Sequence, residues 1–282
     1  MTLYRLDAPD IALSAPVVIA AFDGWIDAAG AATAATELLA ERGPALATFD
    51  GDLLFDFRSR RPTLDIIDGT LTRLEWPRLE LSRYTVEGRD LLILTGAEPD
   101  FRWHELASSV HEICLRLGVV EWVSVGTIPA AVPHTRQVPI LATASAPDLL
   151  HHDVTQGPEG LLRVPAAALS TVELTVSESG IPAVGFYGQV PHYVGGPYAA
   201  ASLALLEHLG QHLGVSLDGG EFAEQATEQR QRLDAAAAAD EDTRAYIERL
   251  EGMMGVDRIP SGDDLAQEIE RYLREQGGRG ER

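Results

Sequence analysis

Residues 181–213 have the sequence IPAVGFYGQVPHYVGGPYAAASLALLEHLGQHL, and this stretch decides the predicted fold. Small and apolar residues over 183–187 lie between a proline and a glycine, which is typical of a short buried strand. Two glycines then turn the chain, and Pro197 can take the first helical position, where its missing N–H costs nothing. The residues that follow predict a helix with one apolar face, formed by Ala201, Leu205, Leu206, Leu209 and Leu213.

The loop between this strand and this helix carries the polar residues Gln189, His192 and Tyr193. In an open α/β sheet, ligands bind in the crevice outside the carboxyl ends of the strands. We therefore expect this loop to contribute to any site that the protein has.

Further apolar segments predict more strands of the same sheet, at 17–22, 45–49, 91–95, 121–125 and 139–144. Helical patterns separate several of them, and this alternation is typical of an α/β fold. Residues 52–84 interrupt the alternation with arginines, prolines and short β-type runs. We expect hairpins or irregular excursions from the sheet in that segment.

Three helices are predicted between the strands. Asp27 is the expected N-cap of an alanine-rich helix, and Asp100 is expected to cap the helix whose apolar stripe covers 103–117. Residues 165–179 fit either a helix or a strand, and the proline at their start and the glycine after them favour the helix.

Composition limits the function classes. The 282 residues carry a formal net charge of −21, and every basic residue is arginine. Because an acidic chain repels nucleic acid and anionic lipid, neither nucleic acid nor a membrane is an expected partner. Without lysine, a Walker-type phosphate loop and a Schiff-base lysine are excluded. The single cysteine allows no internal disulfide, and the first residues lack a leader pattern, so we expect a cytoplasmic protein.

The composition changes after residue 217. We expect residues 1–217 to form the α/β core, 218–276 an acidic helical segment and 277–282 a tail. The helical segment includes an alanine run and shows no β pattern. A capping box at 261–264 begins its last predicted helix.

Two features are candidate interfaces between subunits. Apolar side chains at helical spacing in the acidic segment need a partner, either the core or another subunit. The one arginine cluster of the chain is expected to hold the acidic segment or a neighbouring subunit rather than phosphate. The candidate interface residues are Arg58, Arg60, Arg61, Tyr246, Met253 and Met254.

Polar residues follow several of the predicted strands and converge on one crevice if those strands are parallel neighbours. The candidate crevice residues are Asp23, Trp25, Asp27, Glu98, Asp100, Thr127, His134, Arg136, His192 and Tyr193. An acid, a histidine and an arginine in a cleft can perform acid–base chemistry or hold a phosphate. The alternative is that the aspartates cap helices and the other side chains bond to loop backbone.

No metal site, cofactor or catalytic residue is expected. His104 and His111 are two helical turns apart, or ~10 Å, which is too far for one ordinary metal site. The trio at 151–153, His-His-Asp, is explained equally well as loop composition. Cys114 lies on the apolar stripe of a predicted helix, which indicates a core residue rather than a nucleophile. The sequence contains neither a Gly-x-Ser-x-Gly elbow nor a Gly-x-Gly-x-x-Gly loop.

A series of short motifs occurs in order between residues 15 and 275. They are FDGWxDA at 22–28, DxRSRRP at 56–62, EPD at 98–100, GTxPAxVPHTR at 126–136, VPHY at 190–193 and PSGDDL at 260–265. Together these motifs resemble the proteasome-assembly-chaperone family of the second type, in its actinobacterial branch. The arginine-only, alanine-rich composition agrees with that branch.

The resemblance implies a three-layer α/β/α sandwich with a mostly parallel central sheet, similar to nucleoside-phosphorylase and hydrolase-like folds, to which the acidic segment adds a C-terminal helical appendage. It also implies that the protein forms an oligomer, and eukaryotic members of the family are scaffolds that assemble proteasome α-rings. We therefore expect a non-catalytic chaperone or adaptor that forms a homo-oligomer, with proteasome subunits as candidate partners. The alternative is an enzyme or small-molecule binder that takes a nucleoside or phosphate-type ligand in the strand-end crevice.

Overall fold

The computed structural model describes residues 3–8, 11–150, 155–156 and 160–254. The predicted capping box at 261–264, the last predicted helix, the tail 277–282 and the trio at 151–153 lie outside the described residues.

Eleven strands and seven α-helices occur in the described part of the chain. The strands are β1 Tyr4–Leu6, β2 Val17–Asp23, β3 Ala45–Phe49, β4 Thr63–Ile67, β5 Thr70–Glu75, β6 Leu79–Val86, β7 Arg89–Ala97, β8 Glu121–Ala130, β9 Ile140–Ala144, β10 Thr155–Gln156 and β11 Ala183–Pro191. The helices are α1 Ala31–Ala40, α2 Gly51–Leu54, α3 Trp103–Leu117, α4 Ala168–Glu178, α5 Ala199–Leu213, α6 Phe222–Ala239 and α7 Glu241–Met254, with short 3-10 turns at Ala28–Gly30 and Pro147–Leu149.

Nine of the described strands form one mixed sheet in the order β1-β3-β6-β7-β2-β8-β11-β9-β10. The central strands β7, β2, β8 and β11 are mutually parallel. The flanking strands β6 and β9 run antiparallel to their central neighbours. The carboxyl ends of the four central strands therefore share one edge, and their loops meet there.

The sheet is covered on both faces, because its central strands carry nearly continuous buried runs whose alternate residues point to opposite faces. On β2, Val18 and Ala20 pack with α3 and α4, whereas Ile19 and Ala21 pack with α1 and α5. The predicted three-layer sandwich is therefore confirmed. Cys114 is buried within the α3 layer, as the stripe predicted.

Several local predictions are confirmed and others need correction. The five other predicted strands and the helix at 165–179 are all present. β6, predicted as an excursion, is instead a member of the main sheet. β11 extends to Pro191, so Gln189 lies within the strand rather than in the loop. Pro197 precedes the helix, because Tyr198 is the N-cap of α5.

The C-terminal helices α6 and α7 pack against the sandwich. α6 lies along α5, and α7 contacts α6 in turn. Ile247 and Leu250 are buried, whereas Met253 and Met254 of the predicted apolar face are exposed. No helix of the described residues is long and apolar enough to cross a membrane.

Candidate functional site

The candidate site lies at the shared carboxyl edge of the central strands. Its predicted residues fall into three groups: a buried hydrogen-bonded cluster around Asp27, a cluster of carboxylates around Glu98, and a histidine–tyrosine cluster around His134.

Asp27 is the centre of the buried hydrogen-bonded cluster. Its Oδ1 accepts hydrogen bonds from the backbone N–H of Ala32 at 2.8 Å and of Thr33 at 3.4 Å, near the start of α1. The Thr33 hydroxyl donates to the other oxygen, and the Thr127 hydroxyl lies 3.3 Å from Oδ1. The predicted N-cap position is wrong, because Gly30 is the N-cap of α1 and a 3-10 turn separates Asp27 from the helix, but the Asp27 carboxylate still accepts hydrogen bonds from N–H groups of the first helical turn. Burial raises the pKa of Asp27, and the donated hydrogen bonds oppose that shift.

Glu98 joins three loops at the end of β7. Its carboxylate accepts from the backbone N–H of Trp25 at 3.1 Å and from that of Ala168, the first residue of α4, at 2.7 Å. Gly24 leaves the necessary space, because a Cβ there would lie 2.1 Å from a Glu98 oxygen. The carboxylate therefore caps a helix distant in sequence and fixes the loop after β2.

The other two loop aspartates hold the segment after α2. Asp23 forms an ion pair with Arg60 at 3.0 Å, and Asp100 accepts from the backbone N–H of Asp56 at 2.8 Å. The prediction that Asp100 caps α3 is wrong: Arg102, in the left-handed conformation, is the N-cap, and no side chain caps that end. Asp100 stabilises a neighbouring loop instead.

His134 is the centre of the third group and is only 4% exposed. Its backbone N–H donates to the Tyr193 hydroxyl at 2.7 Å, and its Nδ1 lies 2.8 Å from the same oxygen. Its Nε2 lies 3.1 Å from Asp234 of α6. Because the hydroxyl already accepts one bond, it can donate to Nδ1, which leaves the ring proton on Nε2 facing the carboxylate. Burial lowers the pKa of His134, and Asp234 opposes that shift.

His192 extends the same group towards α7. Its Nδ1 lies 3.1 Å from the Ala130 carbonyl, and its Nε2 lies 3.0 Å from the Tyr246 hydroxyl. The rings of Tyr193 and Tyr246 pack edge to face against it at 5.6 and 5.7 Å. The two histidines of the predicted crevice therefore contact the C-terminal helices.

The sequence patterns do not identify several residues of α6 and α7 that bond to the histidine–tyrosine cluster. Asp234 and Arg230 form an ion pair at 2.9 Å on α6, and Arg230 also donates to the His134 carbonyl at 3.0 Å. Glu251 of α7 accepts from the Thr135 hydroxyl. The only signal in the sequence was the i,i+4 spacing of the arginine and the aspartate, which is common on solvated helices.

Arg136 belongs neither to the cluster around Asp27 nor to the cluster around Glu98. It is exposed, and among the described residues it has no ion pair. It lines a cavity of about 380 Å³ between α5, α6 and the segment before β9, together with Arg230, Gln137, Glu207 and Tyr198.

Most of the candidate residues hold loops and helix ends in place through hydrogen bonds or ion pairs. The Asp27, Glu98 and Asp100 carboxylates each accept backbone N–H groups. Burial raises the pKa of the Cys114 thiol to about 12, which leaves it protonated at neutral pH. Among the described residues, no group of three or more His, Cys, Asp or Glu side chains is placed to hold a metal ion.

Comparison with known proteins agrees with this architecture. A protein of unknown function from Mycobacterium tuberculosis, Rv2714, is 30% identical, with a TM-score of 0.82 over 90% of this chain and 91% of its own. A PAC2 family protein from Streptomyces avermitilis is 33% identical (TM-score 0.73; 82% of this chain, 99% of that one). The Mycobacterium tuberculosis proteasome-assembly chaperone homologue Rv2125 is 29% identical, with the same score and coverage. A search of curated protein sequences found no match.

The family model for the PAC2 family matches residues 21–237. That range includes the last three residues of β2 and every later strand of the sheet, and it contains Asp27, Glu98, His134 and His192, whereas α7 lies beyond it. With a relative at 33% identity over 82% of the chain, the assignment is established in both sequence and fold. The chain belongs to the PAC2 family.

Proposed function

We propose that this protein is a non-catalytic chaperone or adaptor of the cytoplasm. In this account it acts through protein–protein contacts as a homo-oligomer, and proteasome subunits are its partners. Membership of the PAC2 family and the similarity to a proteasome-assembly chaperone homologue support this class of function. We further propose that the acidic segment 218–276 is an appendage that serves such contacts.

One observation carries the proposal: the polar residues at the strand-end edge are used to stabilise the fold. Asp27 and Glu98 cap helices, and His134 lies between Tyr193 and Asp234 with its ring buried. A general acid or base must reach substrate, and a nucleophile must be activated beside one. Side chains that already bond to backbone groups and to neighbouring side chains favour a scaffold over a catalyst.

The experiment mixes the pure protein with proteasome α-type subunits of the same organism and follows assembly by size-exclusion chromatography with light scattering. We expect a complex of defined mass and faster formation of α-rings. Turnover of a nucleoside or an ester by the pure protein, lost in His192→Ala, would overturn the proposal.

The cavity beside Arg136 favours a second candidate function, the binding of a small anionic ligand such as a nucleotide or phosphate. Two arginines line it, and arginine is well suited to hold phosphate oxygens. Binding to the folded state must raise its apparent stability. A thermal-shift screen with nucleosides, nucleotides and phosphate at millimolar levels tests this: stabilisation that disappears in Arg136→Ala supports it, and no stabilisation contradicts it.

A further inference from the structure

Three of the sequence motifs meet at the end of strands β2 and β7. The motif at 22–28 includes the loop after β2, the motif at 98–100 follows β7, and the motif at 56–62 follows helix α2. The acidic residues of these motifs hold the loops in place, as described above. The exposed aromatic and arginine side chains beside them have no such role.

Two contacts hold the motif at 56–62 against both loops. Arg60 forms an ion pair with Asp23 at 3.0 Å, and the backbone N–H of Asp56 donates to Asp100 at 2.8 Å. The segment from Asp56 to Arg60 therefore runs from the loop after β7 to the loop after β2. The exposed side chains of the three motifs share one surface of the molecule.

Two aromatic and two arginine side chains on this surface are exposed. Trp25 follows β2 and is 42% exposed, and Phe101 follows β7 and is 50% exposed. Arg58 and Arg61 belong to the motif that contacts both loops, and they are exposed as well. We refer to these four residues as the aromatic–arginine patch. Lone apolar side chains on a surface are ordinary, but aromatic side chains grouped with arginine are typical of protein interfaces.

The arginines of the patch have no acidic partner in the part of the chain that the structure describes. Arg58 and Arg61 form no ion pair there, although the chain carries 43 acidic residues against 22 basic ones. Of the acids beside them, Asp23 pairs with Arg60 and Asp100 accepts from backbone. Because a guanidinium group binds a carboxylate through two parallel N–H···O bonds, both arginines suit an acidic partner.

The backbone that carries the aromatic side chains is held in place. The N–H of Trp25 donates to Glu98 at 3.1 Å, and the N–H of Phe101 donates to the Leu54 carbonyl at 3.1 Å. A surface that is ordered before its partner arrives loses less conformational entropy on binding. The aromatic–arginine patch is therefore preorganised for contact.

We infer that the aromatic–arginine patch is the docking surface for an acidic segment of a partner protein. Carboxylates of that segment bond to Arg58 and Arg61, and an apolar side chain between them packs on Trp25 and Phe101. The inference rests on the proposed function, which acts through protein contacts, and adds the surface and the chemistry of the partner. Tryptophan and arginine are among the residues that contribute most to binding at interfaces.

The symmetry of homo-oligomers favours a different protein over a second copy as the occupant. In a two-fold contact the same patch meets itself across the axis. Arg58 and Arg61 would then face the arginines of the second copy, and like charges across an interface oppose association. An acidic segment of another protein meets no such repulsion.

The first test uses a short fluorescein-labelled peptide of alternating glutamate and leucine and measures its binding to the full-length protein by fluorescence anisotropy. We expect saturable binding that weakens as salt is added, because salt screens exposed charge pairs. The same peptide with lysine in place of glutamate should not bind. No saturable binding of the glutamate peptide, or equal binding of the lysine peptide, would overturn the inference.

The second test replaces one residue of each kind in the patch. Arg58→Glu and Trp25→Ala should each raise the dissociation constant of the glutamate peptide by at least about tenfold. The matched controls are Arg116→Glu and Leu115→Ala, which change exposed residues of α3 and should leave binding unchanged. Thermal unfolding of Arg58→Glu should equal that of wild type. Equal effects in the patch variants and in their controls would contradict the inference.

The third test asks whether the patch is a contact between copies of this chain. Sedimentation velocity of wild type and Arg58→Glu should give the same oligomeric state. A different state in Arg58→Glu would show that a second copy occupies the patch, and the inference would be wrong.

These tests are separate from the proteasome assay. Peptide binding that depends on the patch, in a protein that ignores proteasome subunits, would contradict the proposed partner and leave the inference intact. A complex with those subunits that is equally stable in wild type, Arg58→Glu and Trp25→Ala, together with no peptide binding, would contradict the inference and leave the chaperone proposal intact.

Discussion

At the scale of single residues, polar side chains at the ends of strands stabilise the fold of this protein. Asp27 and Glu98 each satisfy backbone N–H groups at the first turn of a helix, groups that have no partner within the helix itself. Asp27 was recognisable from the sequence, because an aspartate directly before a helical pattern is a common cap. Glu98 was not recognisable as a cap, because the helix that it caps begins at Ala168, far along the chain.

Replacing Asp27 by alanine should destabilise the fold. The change leaves the N–H groups of Ala32 and Thr33 and the Thr33 hydroxyl without their carboxylate acceptor, and we expect a loss of about 2 kcal/mol in the free energy of unfolding. Urea denaturation measures it. The control is Asp23→Ala, which removes a largely exposed ion pair worth at most ~1 kcal/mol. Equal losses in the two variants would contradict the capping role.

Protonation of His134 should make stability depend on pH. Burial holds its pKa below the ordinary value, so below about pH 6.5 the unfolded chain binds a proton that the folded chain does not. The contribution of neutral His134 to the free energy of unfolding is therefore present above that pH and is lost as the pH falls. We expect the stability advantage of wild type over His134→Gln to shrink between about pH 8 and pH 5.

His104→Gln is the control for this pH dependence. His104 is exposed on α3, so its replacement should change stability little. A stability difference between wild type and His134→Gln that does not vary with pH would contradict the expectation.

At the scale of elements, periodicity located most helices and central strands but not their pairing. β2, α3, α4 and α5 follow their apolar patterns closely, because the local spacing of apolar residues determines them. β6 was missed as a sheet strand because its partners, β3 and β7, are chosen by tertiary packing. β11 runs past its apolar stretch to Pro191 for the same reason: pairing with β8 continues to its end.

The docking of α7 should depend more on its buried apolar residues than on its exposed ones. Ile247 is 6% exposed and Met253 is 59% exposed on the same helix. Ile247→Ala should cost at least 2 kcal/mol of local stability, and amide hydrogen exchange over 241–254 should therefore accelerate at least tenfold. Exchange in the strands of the sheet should stay unchanged.

Met253→Ala is the matched variant for this measurement, and it should leave exchange over 241–254 close to wild type. Comparable acceleration in both variants would mean that α7 does not depend on its contact with the sandwich.

At the scale of the whole molecule, the strand-end edge was predictable as the meeting place of polar residues, but its closure by the C-terminal helices was not. Parallel strands bring Asp27, Thr127 and the two crevice histidines to one edge by topology. The contacts of Asp234 and Tyr246 with those histidines depend on where α6 and α7 dock. An acidic, alanine-rich helix carries little information about that position, because its pattern suits solvent equally well.

Native mass spectrometry of the protein, alone and mixed with proteasome α-type subunits of the same organism, decides between a proteasome chaperone and a protein with other partners. We expect a homo-oligomer from the protein alone and a heteromeric complex of fixed stoichiometry from the mixture. A homo-oligomer that leaves those subunits unbound in the mixture would contradict the chaperone assignment.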